Sequence, residues 1–144
     1  MSFQNSPADE IRRLLRETKT IAVVGLSPKP NRPSHQVSEA MQGFGYRIIP
    51  VRPATAEVLG EPCYPSLYDI PNPQQIDLVD VFRAPEHVDE IVDACIALKL
   101  PAIWLQDGVV NEAAAQRAVD AGITVVMDRC VYRDYYALGV AAKA

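Results

Sequence analysis

The sequence predicts an α/β fold of the doubly wound, Rossmann-like kind, with a five-stranded parallel sheet in the order 3-2-1-4-5. Five short, β-branched runs lie along the chain, helical stripes separate them, and several runs are apolar at consecutive positions. Strands covered by helices on both faces read in this way. Right-handed crossovers then bring all the strand ends to one rim, where ligands of such sheets sit.

Ahead of the first strand, Ile11, Leu14 and Leu15 form an apolar stripe at helical spacing, with Ser6 placed to cap it and Pro7 in its first turn. The first strand is expected at residues 20–25 and the second at 46–51. Between them Val37, Ala40, Met41 and Phe44 mark a helix that Gly43 or Gly45 ends. Residues 52–77 hold five prolines (Pro53, Pro62, Pro65, Pro71, Pro73) and read as an irregular crossover, with short helical stretches near 55–59 and 66–69.

The third strand is expected at 78–82, followed by a helix that opens at Pro85 and carries Val88, Ile91, Val92, Cys95 and Leu98. A fourth strand at 102–106 leads to a helix capped by Asn111 that passes through Ala115, Ala118 and Val119 and stops at Gly122. A fifth strand at 123–127 and a helix at 131–138 complete the pattern. The 144 residues read as a single domain, with its core between about 18 and 136. At this length roughly 70% of the unfolded chain's surface can be buried.

Composition narrows the function. The chain is 49% hydrophobic and 22% charged, which is ordinary for a globular protein. Its 14 Lys and Arg against 18 Asp and Glu give a net charge of -4, which disfavours a nucleic-acid backbone as partner. No basic, apolar leader and no run long enough to span a bilayer stand in the sequence, so a cytoplasmic location without membrane contact is expected. Cys63, Cys95 and Cys130 are widely spaced and form no C-x-x-C pair, so free thiols are expected, and no metal site.

The first strand runs into Gly25-Leu26-Ser27-Pro28-Lys29-Pro30-Asn31-Arg32-Pro33-Ser34 at the start of the second helix. A glycine allows close backbone approach, two hydroxyls can donate, and unpaired helix amides favour an anion, so the loop reads as a phosphate turn. As a dinucleotide fingerprint it is poor, because Ser27 and Pro30 stand where G-x-G-x-x-G needs its second and third glycines. The second strand ends in Val51-Arg52, without the acid that would hold the ribose of NAD. Lys29, Arg32, Arg52, Arg83 and Arg129 all follow strands, so five of the 14 basic residues are expected on one rim. A ligand with several phosphates suits them.

Other residues are less telling. The loops 83–86 and 106–109 lie on the same rim, and either could line a ligand. His35 and His87 are expected at the surface, Asp80 is a carboxylate in an apolar strand that a backbone donor explains about as well as a catalytic role, and Cys130 lies on the ligand side near Arg129, as a reactive thiol or, more commonly for such a residue, a small buried cysteine. No Ser-His-Asp set, G-x-S-x-G elbow or Walker loop is present, so catalysis is not expected.

Taken together, the blocks Val24-Gly25-Leu26-Ser27-Pro28-Lys29 with Arg32-Pro33-Ser34, Ile49-Pro50-Val51-Arg52-Pro53, Val81-Phe82-Arg83-Ala84-Pro85, Trp104-Leu105-Gln106-Asp107-Gly108-Val109 and Met127-Asp128-Arg129-Cys130 resemble the stand-alone bacterial CoA-binding proteins. These are relatives of the CoA-binding domain in the succinyl-CoA synthetase alpha subunit. The resemblance implies that coenzyme A or an acyl-CoA is the ligand. It places Gly25, Leu26, Ser27, Lys29, Arg32 and Ser34 on the CoA phosphates, and Val51, Arg52 and Pro53 with Arg83, Ala84 and Pro85 around the adenosine. Gln106 and Gly108 would face the pantetheine arm.

Where the family commonly reads Asn-Pro-Lys, this chain has Arg52-Pro53-Ala54, which leaves Arg52 to replace that lysine. The ligase's second domain and nucleotide-binding partner subunit have no counterpart here, so acid-thiol ligation is not expected. Two other readings stand beside CoA binding. One is an NADP-dependent oxidoreductase with Arg52 on the 2′-phosphate; the other is a partner-binding subunit with a vestigial nucleotide pocket. Whichever reading holds, a homo-oligomer or a protein partner is possible.

Overall fold

The computed structural model describes residues 3–140. In chain order the principal elements are α1 (Ala8–Glu17), β1 (Thr20–Val24), α2 (Pro33–Gly43), β2 (Arg47–Val51), β3 (Glu57–Val58), β4 (Glu61–Pro62), β5 (Leu78–Val81), α3 (Val88–Ala97), β6 (Ala102–Leu105), α4 (Glu112–Asp120), β7 (Thr124–Met127) and α5 (Val131–Ala137). The expected α/β fold with a five-stranded parallel sheet is present, in the order β2-β1-β5-β6-β7.

The run expected as third strand, β5, pairs with β1 on the side away from β2, through Ile21 with Leu78 and Val24 with Val81. The place outside β2 goes to a single residue of the crossover, Tyr64, which bridges Val51 in parallel. Its N–H donates to the Pro50 carbonyl at 3.1 Å, and its carbonyl accepts the Arg52 N–H at 2.8 Å. Pro62 and Pro65 flank it and withhold the donors that a longer strand would need. Counted as a one-residue third strand, Tyr64 restores the 3-2-1-4-5 style of the doubly wound sheet, with β5, β6 and β7 following.

Alternation along each strand divides the core. Ala22, Val24, Val79, Val81, Ile103 and Leu105 face one layer, with Ile91 and Val92 of α3 and Ala115 and Ala118 of α4. Ile21, Val23, Leu78, Trp104 and Val126 face the other, with Ile11 and Leu15 of α1, Met41 of α2 and Tyr135 of α5.

Local details depart from expectation at several ends. Pro7, rather than Ser6, occupies the cap position of α1, and no side chain caps that helix. Residues 55–59 are not helical but enter the small β3–β4 hairpin, whereas a 3-10 turn does form at Leu67–Asp69. Pro85–His87 is likewise a 3-10 turn that leads into α3. Asn111 caps α4 as expected, its Oδ1 accepting the Ala114 N–H at 3.1 Å. At the N-terminal end, Asn5 pairs with the backbone of Met127: its amide donates to the carbonyl at 2.9 Å and its Oδ1 accepts the N–H at 2.8 Å.

Candidate functional site

Parallel strands deliver the residues after β1, β2, β5, β6 and β7 to one edge of the sheet. The course reverses at β1, so the crevice lies between the ends of β1 and β5. Gly25 leaves β1 there with φ +89°, a conformation that disfavours any side chain. Its N–H donates to the Val51 carbonyl at 2.8 Å, which ties the turn to the end of β2.

The loop beyond Gly25 is stapled to the first turn of α2. The Ser27 N–H donates to Ser34 Oγ at 3.0 Å, and the Lys29 N–H donates to Ser27 Oγ at 3.1 Å. His35 Nδ1 lies 2.9 Å from the Ser27 carbonyl and donates to it. Both serine oxygens thus accept within the loop, and each hydroxyl hydrogen can still be given outward. Arg32 stands at the cap position without a side-chain cap bond, Pro33 begins the helix, and no acid lies in the first turn. The positive end of α2 thus has neither a side-chain cap nor an acid in its own first turn to offset it.

A groove of about 410 Å³ runs along this loop, lined by Gly25, Ser27, Lys29, Arg32, Ser34, Arg52 and Phe82 among others. It shares Gly25 and Arg52 with a second space of about 340 Å³, which Pro53 and Arg83 also line. Four cations of a chain with net charge -4 therefore border one continuous opening, and no carboxylate lines either part. Among the described residues, none of the four takes part in an ion pair. Their fields add within a Debye length of about 8 Å.

Beyond Pro53 and Arg83 the opening continues into an apolar recess of about 280 Å³. Val24, Val51, Leu67, Ile91 and Ala94 wall it, and Tyr68 and Glu90 are its outer members. Of these only Val51 was among the residues expected at the site. Tyr68 and Glu90 come from an irregular turn and a helix face, where no motif marks them, whereas the groove wall Phe82 lies inside the block Val81-Phe82-Arg83-Ala84-Pro85 but was not expected at the site.

The remaining expected residues are placed differently. Leu26 is fully buried in the core, so only its backbone can meet a ligand. Ala84 and Pro85 open the 3-10 turn at the mouth of the β5 end. Gln106 is buried, with Oε1 accepting the Val131 N–H at 3.1 Å, and Gly108 donates its N–H to Asp128 Oδ1 at 2.7 Å. Both follow β6, one strand beyond the crevice. Arg129, the fifth expected rim cation, is held by Asp134 through Nε at 2.6 Å and Nη2 at 2.9 Å. Asp107 is similarly clamped by Arg133, whose guanidinium holds that carboxyl below its usual range.

His35 is buried rather than at the surface, because its ring closes the Ser27 turn. Asp80 is buried in β5 with Oδ1 unpartnered rather than held by a backbone donor, and burial pushes its carboxyl well above the usual range. Cys130 is half-buried at the start of α5. Among the described residues no cluster of metal ligands occurs, and no helix is long and apolar enough to cross a membrane.

Residues 19–135 match the family model described as CoA binding domain. The chain is 45% identical over 129 residues to YneT of Bacillus subtilis (strain 168), an uncharacterized protein, covering 90% of this chain and 94% of that one. It is 31% identical over 77 residues to acetate–CoA ligase [ADP-forming] I of Archaeoglobus fulgidus, which is 54% of this chain and 11% of the ligase. A hypothetical protein from Pyrococcus horikoshii OT3 superposes with a TM-score of 0.88 at 35% identity, over 96% of this chain and 98% of that structure.

Proposed function

The chain belongs to the CoA binding domain family, and on that premise we propose that it binds coenzyme A or an acyl-CoA along the rim of its sheet, as a single binding unit without catalysis of its own. One observation carries the reading: Lys29, Arg32, Arg52 and Arg83 line the groove along the loop and the space adjoining it, and neither of these has a carboxylate among its walls. CoA brings a pyrophosphate and a 3′-phosphate, so it offers several anionic groups to several cations. The likeness to a ligase that acts on CoA points the same way.

In this reading the loop from Gly25 to Ser34 holds the pyrophosphate through Lys29, Arg32, the serine hydroxyls and the start of α2. Arg52 and Arg83 meet the 3′-phosphate, and the Val51 to Pro53 turn and the 83–85 loop border the adenosine. Pantetheine extends past Gln106 and Gly108. Each hydrogen bond to a charged group contributes about 1.5–3 kcal/mol, so a few suffice for micromolar binding at about -8 kcal/mol once the cost of association is met. The three free thiols among the described residues suit the reducing cytoplasm.

The test is calorimetric titration with CoA, acetyl-CoA, NADP and ADP at one salt concentration, repeated at higher salt. CoA and acetyl-CoA are expected to bind tightest and to weaken as salt rises. Tighter binding of NADP would move the assignment to the oxidoreductase reading, and no binding of any of the four would leave the pocket vestigial.

A further inference from the structure

The apolar recess behind Arg83 has two features that the phosphate groove does not explain. Tyr68 is 60% exposed at its mouth, on the 3-10 turn Leu67–Asp69, and its ring stacks on no other aromatic ring among the described residues. Glu90 is the only carboxylate among the lining residues. A large aromatic left in water beside an apolar cavity offers a flat face to a flat ligand.

We propose that Tyr68 and Glu90 select the base of the bound nucleotide: the Tyr68 ring stacks on adenine, and the Glu90 carboxylate accepts from its exocyclic amino group. The inference rests on the CoA reading above and specifies what that reading leaves open. The recess joins the cationic opening at Pro53 and Arg83, so a base placed there remains attached to phosphates beside Arg83 and Arg52. Glu90 is the one anionic acceptor on the recess: Ser66 Oγ, which gives its hydrogen to Asp69 Oδ2 at 2.8 Å, and the Tyr68 hydroxyl are neutral, and Arg83 can only donate.

Glu90 Oε1 sits 3.2 Å from His87 Nδ1, which steadies the carboxylate. Its second oxygen is left to receive an N–H. A carboxylate accepts and cannot donate, so it suits the amino group of adenine and opposes the carbonyl that guanine or hypoxanthine presents at the same position.

Calorimetry on the full chain with CoA and with its deaminated, hypoxanthine-bearing analogue tests this. The wild-type protein is expected to prefer CoA by about tenfold, the scale of one hydrogen bond made or opposed. In Glu90→Gln that preference should shrink to about twofold, because an amide both accepts and donates. Tyr68→Ala should weaken CoA about tenfold and Tyr68→Phe should restore it, since stacking needs the ring and not the hydroxyl. Both residues are exposed, so the variants are expected to fold. Undiminished base preference in Glu90→Gln and wild-type affinity in Tyr68→Ala, with CoA still bound, would overturn base selection and leave the CoA reading intact. Absence of CoA binding to the wild-type protein would remove both.

Discussion

A β-carbon built on Gly25 would lie 2.6 Å from the carbonyl oxygen of Phe82 and 2.9 Å from Cδ of Arg83. The first residue of the phosphate turn is thus packed against the backbone just past the end of β5, and the crevice has a floor of main chain. Gly25→Ala must adopt a φ of +89° and displace the Phe82 backbone as well as the Arg83 side chain. The left-handed conformation alone costs about 1–2 kcal/mol, and the clash adds to it. A loss of at least about 2 kcal/mol is expected in urea unfolding, together with weaker CoA binding. A variant that unfolds with the wild type would show that the close approach is not required.

Lys29 and Arg32 are exposed and unpaired among the described residues, so replacing both with alanine should change stability by no more than about 0.5 kcal/mol. CoA affinity should fall roughly thirtyfold or more, and its dependence on salt should flatten. Titrations at two ionic strengths read both effects. Unchanged affinity would take the loop out of the site.

Arg129 gives the opposite pattern. Its guanidinium is bound to the buried Asp134, whose side chain is only 4% exposed. Arg129→Ala strands that carboxylate and is expected to lower stability by about 1–2 kcal/mol, the partial exposure of the arginine moderating a larger buried-pair penalty. CoA affinity should stay within about twofold. A thermal melt beside a titration separates the two roles, and a selective loss of affinity would return Arg129 to the ligand rim.

Asp80 sets a pH dependence. Burial favours its protonated form in the folded chain, whereas the unfolded chain releases that proton above about pH 4. The folded state then binds more protons than the unfolded one, so stability falls as pH rises from there toward the raised folded value. Asp80→Asn keeps the shape and removes the proton. Its advantage over the wild type should grow between about pH 5 and about pH 8 in urea midpoints. Parallel curves for the two proteins would mean that the carboxyl does not couple folding to protons in this range.

The strands and helices were legible because consecutive apolar residues and helical stripes follow directly from two-sided burial, as in Ile21–Ala22–Val23 or Ile91–Val92–Cys95. Placing the third run was not. Whether β5 lies outside β2 or beside β1 depends on a crossover whose one pairing residue, Tyr64, sits between prolines and carries no strand signal. Four of the five expected rim cations meet because they follow β1, β2 and β5, which are adjacent. Arg129 does not join them, since a partner five residues on, Asp134, faces it only once α5 has formed. His35 and Tyr68 show the same limit: one is drawn inward by a loop carbonyl, the other left outside by a 3-10 turn, and neither outcome is written in local composition.

The paired bonds between Asn5 and Met127 bear on how the molecule meets its neighbours. A side-chain amide offers one donor and one acceptor in the spacing of a peptide group, so at the tip of β7 it stands where a further strand would dock. Tyr64 does the same at the tip of β2. Both flanks of the ligand-bearing end are thereby plugged, and crowded copies of this chain have no ladder to extend there.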